Sequence, residues 1–226
     1  MKASIPPSEL GKKVLIVDDH PLLREGLAII INQHEGLRVC GEAGDVQGGL
    51  AAVNELHPDV VIVDISMADG NGLELVKDIH AVNPTLPVLV LSMHHENLYA
   101  ERALRAGAKG YVMKHEPASA VVAALNKVLS GQLAVSENIT SRLVNWSLHG
   151  IQAANRLPVD LLSDRELEIY RCLGEGYGTR EIAAKLRIAV STVESYRASI
   201  KQKLNLKNAT DLISSAARFM AEESST

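Results

Sequence analysis

Through the first 130 residues, short β-branched runs alternate with amphipathic stretches. Val14-Leu15-Ile16-Val17 is continuously apolar and stops at Asp18-Asp19, the pattern of a strand covered on both faces. Pro21 stands where the first turn of a helix tolerates it, with Leu22, Leu23, Leu27, Ile30 and Ile31 following at helical spacing. The alternation then repeats. Strands are predicted over Leu37 to Ala43, Val60 to Val63 (ending at Asp64), Pro87 to Leu91 and Gly110 to Met113. Helices are predicted over Val46 to Leu56, Gly70 to His80, Glu96 to Arg105 (stopped by Gly107) and Ala118 to Leu129 (closed by Gly131). Five βα units in about 120 residues predict an α/β fold, a doubly wound parallel sheet of five strands. Continuous strands agree with a sheet buried on both faces.

Beyond Gly131 the strand pattern vanishes. Glu137 to Leu148 predicts one more helix, carrying Trp146, and His149 to Pro158 reads as a linker. Four helical stretches follow, Asp164 to Leu173, Thr179 to Leu186, Thr192 to Leu204 and Asn208 to Met220, an all-α second domain. Ser163-Asp164-Arg165-Glu166 fits a capping box at the start of the first. The expected organisation is therefore a domain over 12–132, a linker with a helix over 133–159 and a four-helix domain over 160–222.

Composition narrows this further. With 226 residues, 46% hydrophobic and 22% charged, the chain buries a core without disulfide or metal staples. Cys40 and Cys172 lie too far apart in sequence for a framework or a zinc spacing. No apolar run reaches the roughly 18 residues of a membrane span, and the leader from Met1 to Pro7 lacks a signal-peptide core. The expectation is a cytoplasmic protein with no membrane partner. Formal charge is −4, but Arg180, Lys185, Arg187, Arg197, Lys201, Lys203 and Lys207 face only Glu181 and Glu194, so that segment carries +5. Such a stretch is either a solvated helix face or, where a motif coincides with it, a nucleic-acid surface.

The ends of the predicted strands carry a compatible set of groups: Asp18 and Asp19, Asp64, Ser92 and Lys114. Ligands of open α/β sheets bind beyond these carboxyl ends. Three carboxylates gathered there call for a cation, and hard oxygen donors suit Mg2+. Aspartate is also a nucleophile toward phosphorus, with lysine and hydroxyl donors to hold phosphoryl oxygens. Any one of these residues alone is an ordinary turn former or solvated charge; the joint pattern points to the chemistry. His94 and His95 read as exposed loop residues in preference to metal ligands.

Val-Leu-Ile-Val-Asp18-Asp19-His20, Val-Asp64-Ile-Ser-Met67 with Gly70 and Gly72, Leu91-Ser92 and Gly110-Tyr111-Val-Met-Lys114 resemble the receiver domain of two-component response regulators. The resemblance implies a flavodoxin-like strand order and that Asp64 is the phosphoacceptor. It also implies that Asp18, Asp19, Asp64 and the Ser66 backbone carbonyl hold Mg2+, that Ser92 and Lys114 sense the phosphoryl group, and that Tyr111 is the aromatic switch. Tyr111 read from the sequence alone also fits a core ring, but its offset of three from Lys114 agrees with the family's switch. Ala68 and His115 depart from the family, which often has proline at both positions; both bear on loop geometry.

The stretches Thr179–Leu186 and Thr192–Leu204, joined by Arg187-Ile188-Ala189-Val190, fit a helix-turn-helix as well as two helices of a bundle. The coincident charge favours the former. Leu162-Ser-Asp-Arg-Glu166, Gly176-Tyr-Gly-Thr-Arg-Glu181-Ile182-Ala183, Thr192-Val193-Glu194 and Lys203-Leu204 resemble a LuxR-type helix-turn-helix, so the whole is similar to the NarL/FixJ class. Ser195, Arg197 and Lys201 are the better DNA-contact candidates, with Arg180 and Thr192 beside them. Glu194 fits a Ser191–Glu194 capping box or a base contact, and Tyr196 fits a packing role.

The expected function is a transcription factor, not an enzyme. A sensor histidine kinase would phosphorylate Asp64, and the receiver would respond by forming a homodimer or by releasing the DNA-binding domain onto promoter DNA. Two rivals stand beside it. A Mg2+ phosphatase would want an acid where Ser66 stands. A constitutive DNA-binding protein would use its receiver only as a dimerisation platform.

Overall fold

A computed structural model describes residues 11–67, 70–149 and 158–223. The leader, Ala68, Asp69 and residues 150–157 of the expected linker lie outside the described residues. The chain divides into two compact units, Met1–Arg142 and Leu143–Thr226.

In the first unit, β1 (Lys12–Val17), β2 (Leu37–Ala43), β3 (Val60–Asp64), β4 (Val88–Ser92) and β5 (Gly110–Met113) form one parallel sheet in the order β2-β1-β3-β4-β5. Between them run α1 (Pro21–Asn32), α2 (Val46–Leu56), α3 (Gly72–Val82), α4 (Glu96–Ala106) and α5 (Ala118–Leu129). Alternation within the continuous apolar strands splits the core. Val14, Ile16, Val60, Ile62, Leu89 and Leu91 pack with Leu27 and Ile31 of α1 and Leu125 and Val128 of α5. Leu15, Val17, Val61, Val63 and Val90 are buried on the other face, toward α2, α3 and α4. Each such fully buried side chain contributes roughly 1.5–3 kcal/mol of transfer free energy.

Sequence pattern and structure differ mainly at element ends. The third helix does not begin at Gly70. Ser66–Met67 and Gly70–Asn71 pair as a short antiparallel hairpin, and Asn71 caps α3 by accepting from the Leu73 amide at 2.9 Å. Gly72 is forced by proximity, since a Cβ there would lie 1.9 Å from the Asp64 carbonyl oxygen. The chain just after Asp64 is thus folded back tightly against α3, which fixes the approach to its carboxylate.

The second unit holds a 3-10 turn at Pro158–Leu161 and α7 (Asp164–Gly174), α8 (Thr179–Lys185), α9 (Val190–Lys203) and α10 (Ala209–Glu223). The boundary between units falls within α6 (Glu137–His149). The Ser163–Glu166 capping box is formed in both directions. Leu167, Ile169, Tyr170 and Leu173 of α7 are buried where α7 packs on α9 and α10, with Leu212 and Ala216 of α10. Ile182 and Ala183 of α8 and Val193 and Ile200 of α9 are buried where those two helices pack. The second capping box does not form. Helix α9 starts two residues before Thr192, with Ala189 at its cap, because Val190 and Ser191 join its first turn. Glu194 is thereby freed from the helix start.

Candidate functional site

Parallel strands aim their carboxyl ends the same way, so the polar residues that end β1, β3, β4 and β5 meet at one edge of the sheet. Asp18 and Asp64 are almost wholly buried there, and Lys114 reaches in from the end of β5 with its side chain 5% exposed. Its Nζ lies 2.7 Å from Asp18 Oδ2 and 2.8 Å from Asp64 Oδ2. The second oxygen of Asp64 accepts from the Ser66 amide at 3.2 Å. Asp18 Oδ1 accepts from the His20 amide at 2.8 Å, and His20 Nδ1 sits 3.0 Å from Asp18 Oδ1 and 2.8 Å from Asp19 Oδ1.

Burial pushes the Asp64 carboxyl up to about 6, with the Asp18 charge adding to the rise while Lys114 opposes both. One ammonium among three carboxylates leaves the cluster short of positive charge. Ligating atoms of Asp18, Asp19, His20 and Asp64 lie within 4.8 Å of one another. Hard, crowded oxygens of this kind fit a divalent cation that keeps some of its water.

Ser92 is fully buried at the end of β4, with its Oγ turned to the His94 amide at 3.1 Å. Tyr111 is buried as well, and its hydroxyl donates to the His94 carbonyl at 2.7 Å. His94 therefore gathers much of the site's rim. Its Nε2 is hydrogen-bonded to Ser66 Oγ at 2.6 Å and its ring stacks on Tyr99 at 4.5 Å. The loop reading of His94 is right for its backbone and wrong for its ring, because α4 brings Tyr99 beneath it. Two more residues were not singled out from the sequence: His20, and Arg24, whose guanidinium contacts the Asp18 carbonyl and pairs with Glu42.

In the second unit, Glu166 is buried and accepts from Lys203 Nζ, Ser199 Oγ and the Ser163 amide, each at 2.6 Å. Burial opposes its charge, but the bonds from Lys203, Ser199 and Ser163 prevail and hold its pKa down to about 2. This carboxylate ties α7 to α9. Glu194 accepts from Thr179 Oγ1 of α8 at 2.9 Å and lies 3.5 Å from Arg197, which also contacts Thr179. Arg180 and Ser195 are exposed, and Thr192, Arg197 and Lys201 are half-buried. Thr192 and Ser195, with Ser191, Tyr196, Ser199 and Glu166, line a cleft of about 380 Å3.

Comparison with known proteins divides the chain in the same way. Residues 14–126 match the response regulator receiver domain, and residues 160–216 match the bacterial regulatory proteins of the luxR family. The oxygen regulatory protein NreC of Staphylococcus carnosus is 37% identical over 210 residues, spanning 91% of this chain and 97% of that protein. NreC of Staphylococcus epidermidis is 36% identical over 211 residues with the same coverage. Among solved structures, RcsB of Salmonella enterica serovar Typhimurium, bound to the rprA promoter with the phosphomimetic BeF3−, is 28% identical, with a TM-score of 0.62 over 92% of this chain and 98% of that one. A LuxR-family response regulator from an Aurantimonas species is 29% identical, with a TM-score of 0.56 over 62% of this chain and 99% of that one.

Proposed function

This chain belongs to the DNA-binding two-component response regulators with a LuxR-type helix-turn-helix, and we propose that phosphorylation of Asp64 is the signal that sets its affinity for promoter DNA. The observation that carries this reading is Lys114 Nζ held between Asp64 and Asp18, within 3 Å of each. A lysine so placed is ready to follow a phosphoryl oxygen.

The donor is a phosphohistidine of a sensor kinase. An Asp64 oxygen attacks phosphorus, the new P–O bond forms as the P–N bond breaks, and the electron pair leaves with the imidazole, which takes up a proton. Asp18, Asp19, Asp64 and the Ser66 backbone carbonyl would hold Mg2+, which offsets the negative charge of the transferred group. Lys114 exchanges its bond to Asp64 for one to the phosphoryl group. Ser92 Oγ leaves the His94 amide to donate to the same group, and the His94–Tyr111 pair moves with it. The domains are assigned as a receiver over 12–132, a linker over 133–159 and a DNA-binding domain over 160–222, with dimerisation through the receiver.

In that last domain α9 enters the major groove, with Arg180, Thr192, Ser195 and Lys201 toward DNA. Glu194 keeps Arg197 and Thr179 together instead of reading a base.

Incubation with acetyl phosphate and Mg2+ tests the reading by intact mass. One added phosphoryl group is expected, absent in Asp64→Asn, together with tighter binding to selected duplex DNA. Equal DNA affinity of both forms would refute the coupling.

A further inference from the structure

After α5 the chain returns along the open edge of the sheet. The Tyr111 amide donates to the Ala134 carbonyl at 2.8 Å and the Ala134 amide to the Lys109 carbonyl at 2.9 Å, while Ala134 pairs with Gly110 in parallel. Gly110 is required for so close a passage, since a Cβ there would lie 2.9 Å from both the Cβ and the carbonyl oxygen of Ala134. The segment then crosses to the start of α4. Ser136 Oγ donates to Glu96 at 2.7 Å, Asn138 Nδ2 to Asn97 Oδ1 at 2.8 Å, and Arg142 Nη1 to the Asn97 carbonyl at 2.9 Å. Ile139 is 2% exposed between these polar contacts.

Glu96 and Asn97 directly follow His95 and the His94 carbonyl that holds Tyr111. The start of the linker thus grips the same turn that the Tyr111 hydroxyl grips from inside, and it bonds the Tyr111 amide too. Tyr111, Glu116, Ala120, Lys127, Ala134 and Ser136 help line a cleft of about 200 Å3, so side chains on this face have room to rearrange.

We propose that residues 134–142 are the reader of the switch: their docking on α4 and β5 is coupled to the inward position of Tyr111, and so to phosphoryl binding at Asp64. The inference rests on the phosphoacceptor reading above. A two-state coupling acts in both directions, so loosening the linker weakens binding at Asp64 by the same factor that phosphoryl binding strengthens docking.

The test uses the full chain, with Mg2+ and beryllofluoride as the phosphoryl mimic. In the wild type, beryllofluoride is expected to slow amide exchange across residues 134–142. The variant Ser136→Ala/Asn138→Ala/Arg142→Ala is expected to lose that protection, bind beryllofluoride about fivefold or more weakly, and shrink the beryllofluoride-induced gain in DNA affinity by a similar factor. Glu96→Ala/Asn97→Ala removes side-chain partners from the α4 side and is expected to act in the same direction, so misfolding of one variant does not decide the matter. Variants that fold and match the wild type in both affinities overturn the coupling. A wild-type chain that takes up no beryllofluoride overturns the phosphoacceptor reading and the coupling with it, which tells the two failures apart.

Discussion

Asp64 is a carboxylate buried beside another carboxylate, with one lysine to offset both. Its pKa is raised, so its neutral form is the one the fold favours. That stabilisation is complete below the ordinary value near 3.8 and is lost as pH rises through about 6. In chelator, Asp64→Asn should therefore be more stable than the wild type, by roughly 2–3 kcal/mol at pH 7.5. The advantage should grow between pH 4 and 6 and level off above, as read by denaturant melts; a less stable Asn variant at pH 7.5 contradicts the burial argument. A site this short of positive charge fits the cation and the phosphoryl group proposed for it. Asp18, Asp19 and Asp64 were legible in the sequence because strand ends are. The bridge from His94 to Ser66 was not, because nothing in the sequence relates two loops 28 residues apart.

Among the elements, α9 turns Ser199 and Lys203 toward Glu166 of α7, while its Lys201 is proposed to face DNA. Glu166 receives Ser199 and Lys203, a depressed carboxyl whose stabilisation is complete above the ordinary value near 4.5 and lost as pH falls toward 2. Glu166→Gln should lower the stability of this unit by on the order of 2 kcal/mol at pH 7. It should also flatten its acid unfolding between pH 4.5 and 2, measured by circular dichroism. The basic residues proposed for DNA differ in availability. Arg180→Ala or Lys201→Ala should reduce the salt slope of binding to any duplex by about 0.9 each, as a lost phosphate contact does. Arg197→Ala should change that slope less and instead loosen the α8–α9 joint by about 1 kcal/mol, since its guanidinium is engaged by Glu194 and Thr179. Equal slopes for all three variants would remove the distinction. The helices themselves were readable from period and capping, but the start of α9 was not. Ser191-Thr-Val-Glu194 offers a local cap, and the contact of Glu194 with Thr179, 15 residues away, displaced it.

The chain divides into two compact units, and a different ligand is proposed for each. Ligands stabilise only the unit that binds them. Calorimetry should show Mg2+ raising one unfolding transition and duplex DNA the other, each by roughly 2.7 kcal/mol at a hundredfold excess over its dissociation constant. A single transition moved equally by both would mean that the two cores unfold as one.

What the sequence determined by itself was the alternation of strands and helices, the sheet's parallel sense and the acids at the strand ends. These follow from side-chain period and burial, which are local properties. It also determined that the later helices bear an excess of base. Tertiary structure alone decided that Lys114 divides itself between two aspartates, that a histidine ring closes the rim over Ser66, and that the linker lies along β5 to hold the first turn of α4. Each of these joins residues far apart in the chain through hydrogen bonds of fixed length and direction. No period along one strand or helix encodes such a meeting; the packing of several elements does.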